Sequence, residues 1–437
     1  MQRIVGVLAL AVSLIVALPG VATASNDPFF PEQWGLDAIG AEAAWSQGRG
    51  AGMVIAVVDT GVDLDHEDLR AKLLTGRSFI SSSPPQDGNG HGTHVAGIAA
   101  ASTGNGTGVA GVAPDASILP VQVLDENGAG NVNDVAEGIA WAAANGADVI
   151  NLSFGEVSTD VALSPAFTNA IRSAWAKGVI TVVAAGNDFV RTSSFTDEPA
   201  LVVTATGRDD VRPRYASGVG SAQWGMAAPG GDGSEGQECA TEDGIVSTYS
   251  KNGEDQYACL VGTSMAVPHV AGAAAVLRGM GLSPQQTVDQ LLATSDDVGP
   301  SGRDTIFGAG RLNLARAVNV PPPATATTAA PTTTTETPAA VAAAPTSTAP
   351  PTTVPPTTTE PPPTSTSPST STTPSTISLP PTTANPVTPP SGRAIAILPG
   401  EGDDDSTRYA LAVPAGLLVA GVGTAALRVR GKLDPTS

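Results

Sequence analysis

Basic residues are scarce in this chain. It carries 21 Lys and Arg against 41 Asp and Glu, a formal net charge of −20, and its lysines are Lys72, Lys177, Lys251 and Lys432 alone. That balance excludes the basic stripe by which proteins neutralise nucleic-acid phosphates, so no nucleic-acid partner is expected. The acidity serves solubility, and acidic loops also favour calcium. Cysteine is nearly absent as well: Cys239 and Cys259 are the only two, so neither has another partner to compete for it. A bridge between them would contribute roughly 3 kcal/mol on the chain-entropy model, although spacing alone does not orient their Cβ atoms.

The two ends of the chain differ from its middle. Residues 1–24 read as a signal peptide: Arg3 opens it, Ile4 to Leu18 is apolar, and Ala22-Thr23-Ala24 supplies small residues for cleavage. This places the rest outside the cell, where disulfides persist. Residues 319–392 form a Pro/Thr/Ser-rich linker with Glu336 and Glu360 as the only charges between Pro321 and Pro390. Such a segment buries too little apolar surface to offset its ordering entropy and is expected to be a disordered stalk, reaching at most about 200 Å if polyproline-like. An acidic spacer, 393–408, precedes the uncharged stretch 409–427, which is long enough for one membrane-spanning helix. Arg428, Arg430 and Lys432 lie in the tail 428–437 and hold it in the cytoplasm by the positive-inside rule. The expected placement is therefore a single-pass membrane protein with its main domain extracellular.

That domain, 25–318, alternates strand and helix patterns. Met53 to Val58 is a continuous apolar run, as a strand buried on both faces requires, and Ile118 to Leu124, Val149 to Leu152, Val179 to Ala184 and Leu201 to Ala205 are similar. Helical patterns lie between and after them at His94 to Ala101, Val132 to Ala144, Ser164 to Ala176, Ser264 to Arg278 and Pro284 to Leu292, the last with Ser283 as N-cap. The spacing predicts an α/β domain in three layers, a mostly parallel sheet with helices on both faces. Ligands of such folds bind beyond the carboxyl ends of the strands.

Three separated segments carry an acid, a base and a nucleophile: Val57-Val58-Asp59-Thr60-Gly61, His91-Gly92-Thr93-His94-Val95-Ala96-Gly97 and Gly262-Thr263-Ser264-Met265-Ala266-Val267-Pro268-His269. A serine hydroxyl becomes a nucleophile when an imidazole takes its proton, and a buried carboxylate fixes the tautomer of that imidazole. Together the three segments resemble the subtilisin-like serine peptidases, and in particular their thermitase-like members. The order Asp, His, Ser is that of the subtilisin type. The resemblance makes Asp59, His91 and Ser264 a catalytic triad, and Asn187 in Ala185-Gly186-Asn187 the oxyanion-hole donor. Pro268, normally a defect inside a helix, repeats a peculiarity of the family.

The resemblance implies more. Ser153, Phe154 and Gly155, with Gly128 and Gly130 facing them and Ala184 and Gly186 nearby, would bind an extended polypeptide substrate by backbone pairing. Phe154, Val132 and Val135 would line an apolar pocket. Where relatives often carry Tyr-Pro-Ala, this chain has Phe195-Thr196-Asp197-Glu198-Pro199. Asp27, Asp68 and Asn105, with the carbonyls of Ser102, Thr107 and Val109, would form a structural calcium site. Asp27 follows the expected cleavage so closely that no room is left for the inhibitory pro-domain typical of the family. The expected function is an outward-facing serine endopeptidase. The order of signal, peptidase, stalk and anchor is similar to the mycosins of type VII secretion systems, which adds secretion-system partners as an alternative.

Overall fold

The sheet is built from runs that are apolar on both faces, and so it is sandwiched. The computed structural model describes residues 25–154, 164–233, 242–251 and 254–321, with three-residue strands at 376–378, 385–387 and 395–397. The signal segment 1–24 and the span 409–427 lie outside the described residues, and no helix among the described residues is long and apolar enough to cross a membrane.

Ten strands of the domain lie among the described residues: β1 (Val54–Asp59), β2 (Arg77–Ser78), β3 (Ser117–Gln122), β4 (Ala129–Asn131), β5 (Val149–Leu152), β6 (Ile180–Ala184), β7 (Ala200–Thr206), β8 (Trp224–Pro229), β9 (Ile245–Lys251) and β10 (Glu254–Leu260). Among the described residues eight α-helices accompany them: α1 (Trp34–Ala38), α2 (Ala41–Ala44), α3 (His91–Ala100), α4 (Val132–Ala144), α5 (Pro165–Ala176), α6 (Thr263–Gly279), α7 (Pro284–Ala293) and α8 (Leu314–Asn319). Seven strands form one sheet in the order β2-β3-β1-β5-β6-β7-β8, parallel at every step. β9 and β10 form an antiparallel hairpin. Beyond the domain, β11 (Thr376–Ser378) pairs antiparallel with β4, and β12 (Asn385–Val387) and β13 (Ile395–Ile397) extend the hairpin at β10.

Alternation along the strands divides the core. Ile55, Val57, Val149, Val182 and Leu201 face a cluster that includes Val95 and Ile98 of α3 and Val270 of α6. Ala56, Val58, Ile150, Val183 and Val202 face Val135 and Ile139 of α4 and Phe167 and Ile171 of α5. This is the expected three-layer α/β arrangement. α7 begins with a full capping box: Gln286 N–H donates to Ser283 Oγ and Ser283 N–H to Gln286 Oε1.

The structure differs from the expectation in two places. α3 starts at His91, three residues before the expected start, because Asp87 accepts the N–H groups of Asn89, Gly90 and Thr93 and so caps the first turn from outside the helix. β8 and the β9–β10 hairpin are not among the expected strands: β8 mixes Trp224 and Met226 with Gly, Ala and Pro, and β9 breaks its Ile, Val, Thr and Tyr with serines, so neither stands out as an unbroken apolar run.

Two buried histidines tie the helices to their surroundings. His94 Nε2 lies 3.1 Å from both Ile245 O and Ala258 O, joining α3 to the hairpin, and His269 Nδ1 lies 2.9 Å from Met265 O. Burial pulls His94 down to about 3 and His269 down to about 4. Both are therefore neutral in the fold well below pH 6.5, where the unfolded chain takes up protons. Their contribution is complete above that pH and is lost as pH falls toward 4. At pH 5 each should cost about 2 kcal/mol of stability. Denaturant midpoints measured between pH 8 and pH 4.5 should fall below pH 6.5, and His269→Gln should reduce the slope; equal slopes for the two proteins would contradict the assignment.

Candidate functional site

Four elements of the parallel sheet and its helices converge at the carboxyl ends of the strands. Asp59 is the last residue of β1 and fully buried, and His91 is the first residue of α3. His91 Nδ1 lies 2.8 Å from Asp59 Oδ1, which also accepts the Thr60 N–H at 2.8 Å. With Nδ1–H donated to the carboxylate, Nε2 is the ring atom left to exchange a proton.

The pair is held by neighbours that the motifs did not single out. Thr60 Oγ1 accepts the Gly92 N–H at 3.0 Å and donates to Asp87 Oδ1 at 2.9 Å. Asp87 also accepts the Thr93 hydroxyl at 2.6 Å. Burial pushes the Asp87 carboxyl up, and its hydrogen bonds to Gly90, Thr93 and Asn89 oppose that shift. The residue after Asp59 and the first turn of α3 therefore share one buried anchor. There is no slack for a side chain at Gly92, where a Cβ would lie 2.1 Å from Gly61 O and 3.1 Å from Asp59 Cβ.

Ser264 is the second residue of α6, and its buried Oγ makes no hydrogen bond within the described structure. Pro268 sits four residues on and has no N–H, so the Ser264 carbonyl lacks its helical donor. Ser153, just after β5, supplies it: its hydroxyl donates to Ser264 O at 2.8 Å and accepts from Asn151 Nδ2 at 2.9 Å. The apparent defect in α6 is thus the opening through which the central sheet grips the serine backbone.

Asn187 follows β6. Its Oδ1 accepts both the Thr263 N–H, at 3.0 Å, and the Thr263 hydroxyl, at 2.8 Å. A backbone N–H can only donate, so the amide orientation is determined and the NH₂ faces away from Thr263. A Cβ built on Gly262 would lie 3.6 Å from Asn187 Nδ2, which places that donor beside the turn carrying Ser264.

The expected substrate edges are only partly open. Gly128, with φ +72°, occupies a turn closed by the Asp125 carboxylate, which accepts Asn127 N–H and Ala129 N–H at 2.9 Å each. Gly130 faces Val123 O so closely that a Cβ would lie 2.4 Å from it. The Phe154 side chain is fully buried beside Val132, Val135, Phe167 and Phe195. Phe154, Val132 and Val135 are thus core, not an open pocket, and residue 154 can meet a ligand only through its backbone. Ala184 ends β6 and is buried, and Gly186 accepts the Ser217 N–H. Gly155 and Cys239 lie outside the described residues. Cys259, in β10, is disulfide-bonded.

The expected calcium residues do come together. Asp68 Oδ1 accepts from Asn105 Nδ2 at 2.8 Å and Oδ2 from the Val109 N–H at 2.9 Å. Burial raises Asp68 to about 7, lowered in part by Val109 and Asn105 and raised further by Asp27 and Glu67. The carbonyls of Ser102, Thr107 and Val109 accept no backbone hydrogen bond in this loop. A buried carboxylate in an acidic field with oxygen donors around it suits a hard cation. Asp27 accepts the N–H groups of Gly104, Asn105 and Gly106 and the Ser25 hydroxyl. These bonds hold the 104–106 loop against the start of the domain and keep the Asp27 carboxylate beside Asn105, itself bonded to Asp68. No group of three or more His, Cys, Asp or Glu able to hold a metal occurs among the described residues.

A carboxylate-bound imidazole, a buried serine at a helix start and an amide donor beside it, all at the C-terminal ends of parallel strands, define the site class of the serine peptidases. Residues 50–310 match the subtilase family, Peptidase_S8, and the chain belongs to that family. It is 42% identical to thermitase of Thermoactinomyces vulgaris over 297 residues, which cover 67% of this chain and 98% of that one. It is likewise 42% identical over 299 residues to a thermophilic serine proteinase of Bacillus sp. (strain AK1), covering 67% and 69%. A solved protease from Pseudoalteromonas arctica PAMC 21717 superposes with a TM-score of 0.58 at 33% identity, over 68% of this chain and 99% of that chain. The protein is a subtilisin-like serine endopeptidase.

Proposed function

We propose that Ser264, His91 and Asp59 carry out peptide hydrolysis through an acyl-enzyme. The observation that supports this most directly is the buried 2.8 Å contact between Asp59 Oδ1 and His91 Nδ1. Ser264 Oγ attacks the scissile carbonyl carbon while His91 Nε2 takes the hydroxyl proton. The new oxyanion is met by Asn187 Nδ2 and the Ser264 N–H, both fixed before the reaction. His91 then returns the proton to the departing amine, and water repeats the sequence on the ester. Asp59 keeps His91 in the tautomer that presents Nε2.

Calcium is the second part of this reading. Asp27, Asp68, Asn105 and the carbonyls of Ser102, Thr107 and Val109 would hold the ion, which when bound neutralises the carboxylate charge and stiffens the 102–109 loop. The third part is placement. Residues 1–24 direct export, 409–427 anchor the chain, and the tail stays inside, so the peptidase acts on polypeptides outside the membrane from a Pro/Thr stalk. The layout also suits a mycosin-like peptidase serving a type VII secretion system. In spheroplasts, added protease should cut the stalk or domain but spare an epitope fused after Ser437; digestion of the epitope with the domain protected would reverse the orientation.

Ser264→Ala should lower turnover by about six orders of magnitude, the loss known for this change in subtilisin, and abolish fluorophosphonate labelling with the fold intact. Wild-type hydrolysis by the purified variant would overturn the assignment. Chelation with EGTA should lower the melting temperature by several degrees, as loss of a native-state ligand does, and Asp68→Ala should reproduce this in excess calcium. Superimposable melting curves with and without chelator would remove the ion.

A further inference from the structure

The outer edge of β4 is covered by the chain itself. β11, in the Pro/Thr/Ser-rich segment, pairs antiparallel with it in the register Thr376 to Asn131, Ile377 to Gly130 and Ser378 to Ala129. On its other side Gly130 is bridged to Leu124, again antiparallel. The Leu124 and Val123 N–H groups both donate to Asp59 O, at 3.2 and 2.9 Å. The backbone of Asp59, the 123–124 segment, β4 and β11 thus form one continuous hydrogen-bonded run. With neighbouring strands about 4.8 Å apart, β11 stands roughly 10 Å from Leu124. It takes the place on Gly130 that the sequence assigned to an extended polypeptide substrate.

β4 is shaped to receive a strand. Its start is closed by Asp125, whose carboxylate accepts the Ala129 N–H and whose own N–H donates to Ala129 O. Its end is fixed by Asn131, the N-cap of α4, whose side chain accepts the Asn133 N–H. A short strand held at both ends, and paired by the domain on one side, is a template for main-chain pairing on the other.

The segment that pairs with it differs from its surroundings. Between Pro321 and Pro390, Ile377 and Leu379 are the only Ile and Leu. Ser375 to Leu379 is free of proline, and Pro374 and Pro380 bound it. β-Branched residues favour a ladder and proline cannot donate to one, so this window suits a strand that the flanking prolines end. The tether adds to this. A flexible chain of about 55 residues, the stretch from Pro321 to Thr376, spans roughly 40 Å on average and holds its end at an effective concentration near the millimolar range. Beyond β11 the chain returns to the domain, where Ile395–Ile397 pairs with Tyr257–Cys259 of β10.

We propose that Thr376–Ser378 is an intramolecular competitive inhibitor, which occupies β4 and must leave before a polypeptide substrate can pair with the same edge. The proposal rests on the reading of Gly128 and Gly130 as a substrate edge and of Ser264 as the nucleophile. A substrate long enough to pair with β4 displaces the segment. A small reagent that reaches Ser264 alone does not compete with it.

The test is made on the full chain with an internally quenched decapeptide. Ile377→Pro removes a donor from the pairing without touching the domain, and should lower KM about fivefold with kcat within about twofold. Val341→Pro, elsewhere in the same stretch, should leave KM unchanged. A synthetic peptide of residues 371–383 added to the Ile377→Pro enzyme should raise KM again at constant kcat, and the same peptide carrying Ile377→Pro should not. An unchanged KM in Ile377→Pro, or an equal fall in both variants, overturns the proposal. Cutting of the chain between 374 and 380 that Ser264→Ala abolishes would make the segment a substrate and would equally overturn it. Fluorophosphonate labelling separates the two readings: labelling retained with KM unmoved sinks the inhibitory strand alone, whereas no labelling in any variant sinks the peptidase reading and the proposal with it.

Discussion

A carboxylate at zero exposure must be compensated, and the rest of the site is arranged around that requirement at Asp59. The end of β1 carries it out of reach of water, and the Thr60 N–H and the His91 ring N–H compensate it. That geometry in turn requires α3 to begin at His91 and no later. Asp87 makes this possible by accepting the first-turn N–H groups of α3 while holding Thr60, the neighbour of Asp59. A second buried carboxylate, away from the chemistry, thus sets the distance between the acid and the base.

The nucleophile is placed by a similar economy. Pro268 removes one hydrogen bond from α6, and the vacated Ser264 carbonyl is taken by Ser153 from β5. Thr263, one residue earlier, holds the oxygen end of Asn187 by two bonds and so turns the amide donor toward the serine. Sheet, helix and oxyanion donor meet within two residues of Ser264. Each group is pinned before substrate arrives, which is the condition for electrostatic stabilisation without reorganisation.

Much of this could be read from the sequence because it is local. Strands β1, β5, β6 and β7 are mostly apolar without alternation, since a parallel strand covered on both faces has no solvent side to show. The Asp59, His91 and Ser264 segments are compact enough to stand out. The partners that orient them are not: Thr60 to Asp87 spans 27 residues and Ser153 to Ser264 spans 111. No periodicity reports such pairs. The same limit hides the three N–H groups of the 104–106 loop that Asp27 caps across nearly eighty residues. Phe154 shows the converse, a residue near the cleft by sequence whose ring the core has taken.

The account depends on His91 acting as a base through Nε2 while Asp59 holds Nδ1. The most direct test is the pH profile of kcat/KM for a peptide substrate between about pH 5 and pH 9, measured for the wild type and for Asp59→Asn. The wild-type rate should climb with a single ionisation as the imidazole loses its proton, and Asp59→Asn should fall by about four orders of magnitude at neutral pH through loss of the correct tautomer. A wild-type profile that is flat across that range, or an Asp59→Asn variant as active as the parent, would contradict it.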